Sequence, residues 1–554
     1  MSRDKRWQWV VLLASVALLV VTIITRGPAE EAPLPLPTPS PSPAPEARQG
    51  PAFFTEALVG EVHKLNPILA ALNPVDRDIS ALIFEGLTTT DAHGQVIPAL
   101  AERWSTARDA TVFTFYLRQD VLWQDGVPFD SADVDFTLGL LRTPGFGDGV
   151  PGLAQRAAFW RTVEVEALDD HTLRFRLTQP LASFPDFLRL GILPKHILGN
   201  VPPDALLTHP FNLSPIGTGP YQLEHLRVDG ERIAAVQLRR APVYAARKDA
   251  HTYQMERIGF ALYENFDTAW AAFQRGEVNA CTIPVARLAE VETTPGLAIY
   301  TAIEPTTGFM LFNYTREGTA FFQDRRFRAA LAYGVDSRAL VQQHLGNTVV
   351  AAQGALIPGG WAWAPDVRWP VYNYETAQTL LARARVERPV AFTLLVPDIP
   401  AIIALAEDIA TAWQGLEVNM QVEALDAPTL LERVRTHDFD AAIVELSWEG
   451  MADPDPYVFW HQGQAAHGQN YGGVDDGPIS EALENARRDP SGVNRATWYH
   501  KFQAQFADRV PAIPLYHPVY AYGTDSRVEG VQLGLLSDPS DRFRSLWAWT
   551  YHTP

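Results

Sequence analysis

Residues 82–104 read LIFEGLTTTDAHGQVIPALAERW, and residues 110–136 read ATVFTFYLRQDVLWQDGVPFDSADVDF. The apolar run 83–87 closes on a turn around Asp91 and Gly94. Residues 112–117 are β-branched or aromatic enough for a strand, and Asp125-Gly126 signals a turn. Asp130 or Ser131 can then cap a helix that starts at Ala132-Asp133-Val134, with acidic side chains near its positive end.

Outward from this stretch the first half stays strand-rich. Residues 163–167, 173–177, 221–226 and 233–238 read as strands separated by turns such as Gly217-Thr218-Gly219-Pro220. The second half alternates. Strands are expected at 391–396, 417–423 and 439–446, with helices at 401–413 and 428–437. Strand–helix–strand–helix–strand implies parallel pairing through right-handed crossovers. The contrast points to two lobes of different make-up, and no repeat of 20–50 residues stands out.

At 554 residues the chain exceeds one ordinary domain, and 47% hydrophobic with 20% charged residues is a globular composition. A formal charge of −19 argues against nucleic acid as a partner. The single cysteine, Cys281, excludes an intrachain disulfide and a thiolate metal cluster. It reads as a small buried residue just after a strand, and its neighbours Asn279-Ala280 and Thr282-Ile283 hold no His base.

Arg3, Lys5 and Arg6 precede the uncharged run 10–24, with Trp7 and Trp9 at its entry. As a helix, residues 7–25 would span roughly 28 Å, close to a ~30 Å hydrocarbon core. Basic residues before the run and Glu30-Glu31 after it put the N-terminus in the cytoplasm and the rest outside. Thr25-Arg26-Gly27-Pro28 interrupts any small-x-small cleavage site, so residues 1–26 read as an uncleaved transmembrane signal anchor. Residues 27–51 form a Pro-rich linker whose polyproline II reach, at ~3.1 Å per residue, is up to about 70 Å.

Several further segments share one order. They are Leu65-Asn66-Pro67, Ile192-Leu193-Pro194-Lys195-His196, Gly217-Thr218-Gly219-Pro220-Tyr221 and Phe273-Gln274-Arg275-Gly276-Glu277-Val278-Asn279. Phe312-Asn313-Tyr314, then 322–331 (FQDRRFRAAL) and Val335-Asp336, complete the series. With the opening stretch, this order resembles the family 5 extracellular solute-binding proteins of peptide-type ABC importers. Asn279 stands where relatives often carry Asp. No cysteine follows the apolar run, as it would in a lipoprotein.

The resemblance implies an α/β, two-lobed periplasmic-binding-protein-like fold of type II, the large three-subdomain peptide-binding class, with its ligand cleft between the lobes. Lobe one would take residues 52–301, with an inserted subdomain at about 91–216. Lobe two would take 302–522, and 523–554 would return to lobe one. The family binds ligands without transforming them, so no catalytic residue, metal or cofactor is expected. The expected partners are a short peptide or other small ligand, ABC permease subunits, and the membrane through the N-terminal helix, with the protein a monomer. An oligosaccharide or metal-chelate ligand, or a surface sensor that does not transport, is the alternative. A hydrolase is disfavoured by the lack of HExxH and GxSxG.

In open α/β sheets ligands bind beyond the carboxyl ends of strands, which directs attention to 447–457. Family peptide binders place an aspartate in this segment to meet the ligand ammonium. Ala452-Asp453-Pro454-Asp455-Pro456 matches their pattern with one residue deleted, making Asp453 the carry-over. A registration counted from Trp448 puts Met451 there instead. A local Asp-Pro turn is the competing reading for Asp453, and the favoured one for Asp455. Trp448, Tyr457, Tyr471, Trp361 and Trp363 are candidates to line the cleft or to fill the core. Glu61 and Asn66, on the early loop, are candidate ligand contacts. Arg325, Arg326 and Arg328 read as structural. His461 and His467 read as solvated rather than metal-binding, and 145–149 as a surface loop.

Overall fold

The structure is a computed structural model describing residues 53–551 apart from 71, 72, 149, 151, 249 and 467. The expected anchor and Pro-rich linker lie outside the described residues. In the opening stretch, Val112–Leu117 is a strand that buries Phe113, Phe115 and Leu117 on one face. It lies between Ala101–Thr106 and Thr172–Arg176 in a four-stranded antiparallel sheet completed by Glu164–Asp169. Asp130 caps the helix Ser131–Arg142, and Asp133 answers in a reciprocal capping box. The turn after Leu87 forms as read. The Asp91 carboxylate accepts from the His93 and Gln95 amides, and Gly94 adopts φ +74°.

One twelve-stranded sheet organises the rest. The apolar strand Val390–Pro397 pairs parallel with Val418–Leu425 and Ala441–Ser447, through the helices Pro400–Gln414 and Ala427–Arg435. At the other end Phe53–Val59 pairs parallel with Arg257–Tyr263 and Ala280–Ile283. The 14-residue strand Ala512–Asp525 joins the two halves. Its first part pairs with Thr306–Phe312 and Val349–Ala351, and its second with Ala280–Ile283 and Leu297–Ile303. Partners change at Pro518–Val519, beside the Glu304-Pro305 link, where the Glu304 amide donates to the Pro518 carbonyl at 2.9 Å.

Three details refine the sequence reading. Cys281 lies inside a strand rather than after one, and burial pushes its thiol up to about 12. Arg328 is buried, its guanidinium donating to the carbonyls of Phe322, Arg509 and Val510. It thereby satisfies the end of the helix Gly492–Arg509, a structural task as read. His461 is not solvated. It is buried, stacks on Tyr457 at 4.1 Å and faces Glu484 at 3.1 Å, while His467 lies outside the described residues.

His517 sits in the joining strand, fully buried, with Nδ1 2.9 Å from Thr307 Oγ1 and Nε2 without a partner. Burial pulls its imidazole from 6.5 to about 4, against the pull of the Thr306 carbonyl. Below pH 6.5 the unfolded chain therefore takes up a proton that the folded chain refuses. Stability present above pH 6.5 is lost as pH falls towards 4, by roughly 3 kcal/mol for this group. The unfolding midpoint of His517→Gln should accordingly vary less with pH than that of the natural chain across this window.

Candidate functional site

The segment leaving the carboxyl end of Ala441–Ser447 is held by partners distant in sequence. The Trp448 amide donates to the Pro305 carbonyl at 2.7 Å, and the Gly450 amide to the Ser537 carbonyl at 2.8 Å. Gly450, at φ +83°, turns the chain so that its own carbonyl accepts from Arg189 Nη2 at 2.7 Å. One oxygen of the Asp186 carboxylate accepts from the Ala452 and Asp453 amides at 2.8 and 3.1 Å. Arg77 reaches Glu449 at 2.8 Å.

Two cavities border this segment. The larger, about 810 Å³ and open to solvent, is bordered by the helix Pro74–Ile83, by 155–160, by 186–191 and by 449–451. Arg77 and Arg189 on its wall are engaged with carboxylates. Arg156, half-buried on the same wall, has no acidic partner among the described residues. Burial draws its guanidinium down from its ordinary value, yet an Arg stays cationic at neutral pH. The smaller cavity, about 50 Å³, is mainly apolar and bordered by 356–363, 448–454 and 535–537.

Asp453 is buried and already satisfied. Arg495 Nη2 approaches Oδ2 at 2.6 Å, and the Tyr499 hydroxyl donates to Oδ1 at 3.0 Å. Burial nonetheless raises its carboxyl above the usual range, with Arg495 pulling the other way. Asp455 is also buried. It accepts from the Tyr457 amide, as an Asp-Pro turn should, and pairs with Arg487 at 2.6 Å.

Of the residues singled out from the sequence, Trp448, Trp361 and Trp363 meet on the wall of the smaller cavity, beside Ala452 and Pro454. Tyr457 lies between His461 and the Arg487 guanidinium, 3.7 Å from its ring. Tyr471 is half-buried, and its carbonyl accepts from His437 Nδ1. Asn66 is wholly buried, binding Asn212 and the Ile68 amide. Glu61 is exposed, 3.8 Å from Arg232. None of these four borders either cavity.

Residues 95–469 match the model of the bacterial extracellular solute-binding proteins, family 5. The chain belongs to this family. Among curated relatives of this family 5 protein, the dipeptide-binding protein of Escherichia coli is 24% identical over 469 residues, covering 79% of this chain and 83% of that protein. The oligopeptide-binding protein AppA of Bacillus subtilis is 24% identical over 496 residues, covering 85% and 87%. Among solved structures, the unliganded open form of the murein tripeptide-binding protein MppA superposes with a TM-score of 0.77 at 20% identity, covering 92% of this chain and 99% of that one. AppA with a nonapeptide gives a TM-score of 0.62 at 21% identity, covering 92% and 100%.

The family 5 chain is thus a two-lobed, extracytoplasmic solute-binding protein, and these relatives are named as binding proteins, not enzymes. Sequence reasoning missed Arg156, Leu535 and Arg544 on the cavity walls, whereas Met451, the residue of the alternative registration, borders both cavities. Arg156 carried a signal of a kind, a cation beside Phe159 and Trp160, but nothing local marks Leu535.

Proposed function

We propose that this chain captures a short peptide between its lobes and delivers it to the permease of an ABC importer. The convergence of elements from far-separated parts of the chain on segment 448–454, which borders two cavities, carries the reading. The peptide-binding names of its relatives favour a peptide over a sugar or a chelate, and the ABC-transporter names of two solved neighbours favour transport over sensing.

Lobe one comprises 52–301 and 523–554, with an inserted subdomain at about 91–216, and lobe two comprises 302–522. The exchange of strand partners at Pro518–Val519 and the Glu304-Pro305 link support crossings within a few residues of these limits. Residues 1–26 anchor the protein, as a monomer, on the outer face of the membrane. Ligand capture shifts the population towards a closed arrangement, which small-angle scattering reads as a smaller radius. An unchanged radius with a peptide that binds would count against closure.

Arg156 supplies the cationic end of the site, for the peptide carboxylate. Its substitution by Gln is expected to cost about 1.5–3 kcal/mol of binding for tripeptides with a free C-terminus. Calorimetry with C-terminally amidated tripeptides should show no such loss. Of the two roles open to Asp453, its engagement with Arg495 and Tyr499 supports the local one, in which the carboxylate shapes the segment rather than meeting a ligand ammonium.

A further inference from the structure

We infer that the turn 182–189 is a latch between the lobes. It holds the ligand-free chain part-closed and thereby sets the affinity for every peptide by one common factor. The inference rests on the two-lobed reading above and adds a restraint that the chain crossings alone do not supply.

The turn packs with elements assigned above to lobe one. The Phe184 ring lies 5.0 Å from that of Phe113 and 5.3 Å from that of Phe175. The Pro185 carbonyl accepts from Thr88 Oγ1 at 2.7 Å, and a side chain on Gly86 would collide with the Arg189 backbone. Phe184 and Leu188 belong to one apolar core, whereas Trp448, Phe459 and Ala486 belong to another. The bonds that join the two here are polar. The Ala182 amide donates to the Arg487 carbonyl at 2.8 Å, and one Asp186 oxygen accepts from the Ala452 and Asp453 amides. Arg189 meets the other Asp186 oxygen at 2.6 Å and the Gly450 carbonyl at 2.7 Å. The Asp186 side chain is only 2% exposed.

A polar contact between two separate cores can open without exposing either of them, and contacts between domains of one chain ordinarily have this character. Its bonds are nevertheless charge-assisted at both Asp186 and Arg189, which makes each roughly twice as strong as a neutral one. Parting the lobes at this turn would leave a buried carboxylate and two amides to be hydrated afresh. The ligand-free chain therefore rests with the contact made. Apparent affinity scales with the fraction of molecules already competent to bind, so a latch raises it equally for all ligands.

Asp186→Ala in the full-length chain removes the acceptor shared by the two amides and one of the ties on Arg189. By small-angle scattering its ligand-free radius should exceed that of the natural chain, while the two radii with peptide bound should agree. Isothermal titration with Ala-Ala-Ala, Ala-Phe-Ala and Ala-Glu-Ala should show Kd raised about tenfold, by the same factor for all three. Hydrogen exchange on the natural ligand-free chain needs no variant. There the Ala452 and Asp453 amides should exchange slowly, like those of the strand Ala441–Ser447, and they should quicken in Asp186→Ala. Fast exchange in the natural chain, or an unchanged ligand-free radius in the variant, would overturn the latch. So would a factor that differs among the peptides, which would make Asp186 a ligand contact, or tighter binding, which would make the turn a competitor. If no peptide binds at all, the function proposed above fails, and the exchange rates and ligand-free radii still judge the latch.

Discussion

Arg542→Met is expected to lower the free energy of unfolding by roughly 3–5 kcal/mol at neutral pH, as removal of one partner from a buried ion pair does. Arg542 is wholly buried. Its guanidinium meets Glu56 at 2.7 Å and Asp78 at 2.7 Å, donates to the Pro539 carbonyl and lies 4.1 Å from the Phe543 ring centre. Glu56 comes from the first described strand, Asp78 from the helix Pro74–Ile83 and Arg542 from the C-terminal segment, so the triad ties both ends of the described chain together. With Met in its place, Glu56 faces the core without its cation, while Asp78 keeps only Arg77, at 3.3 Å.

The deficit should shrink as pH falls. Burial already raises Glu56 above the ordinary carboxylate range, against the opposing pull of Arg542. A carboxyl with a raised folded value takes its proton more readily folded than unfolded, so acid favours the folded variant relative to neutral pH. Urea midpoints of both proteins at neutral and mildly acidic pH check this, with Glu56→Gln/Arg542→Met as control. A gap between variant and natural chain that widens in acid would show that Glu56 is not the stranded charge.

The parallel strands of the second half could be read from the sequence because Val390–Pro397 and its helix Pro400–Gln414 write their burial into local spacing. The cap at Asp130 and the turn at Asp91 were legible for the same reason, since each is settled within a few residues. The family match rested on such pieces in order. The site depends on encounters between distant segments. Nothing near Asp453 announces that Tyr499, 46 residues along, will take its carboxylate oxygen. His461 looked like a polar loop residue because its partner, Glu484, lies 23 positions away. Asn66 looked like a ligand contact and is instead spent on Asn212, 146 positions away. The tryptophans could be ranked as candidates but not sorted, because an indole serves core and pocket equally well until its neighbours are known.

The second large effect belongs to Arg495. Arg495→Met is expected to cost about 3–5 kcal/mol of stability, because it strands Asp453 in a buried place that already disfavours its charge. Asp453→Asn/Arg495→Met should recover most of that loss, since neither charge then remains to be desolvated. The same arginine lies 5.2 Å from the ring centre of Trp361 and donates to the Tyr499 hydroxyl, so its loss also loosens one wall of the smaller cavity. Binding discriminates the two roles of Asp453. If its carboxylate only positions the segment, Asp453→Asn changes the affinity for Ala-Phe-Ala and for its N-acetylated form by the same factor. If it meets a ligand ammonium, the free-amine peptide alone should lose about 2–5 kcal/mol. Titration of the two peptides against the natural chain and Asp453→Asn separates these outcomes. The pairing of Asp453 with Arg495 at 2.6 Å makes equal factors the expected result, because an ammonium would have to displace a guanidinium already in contact.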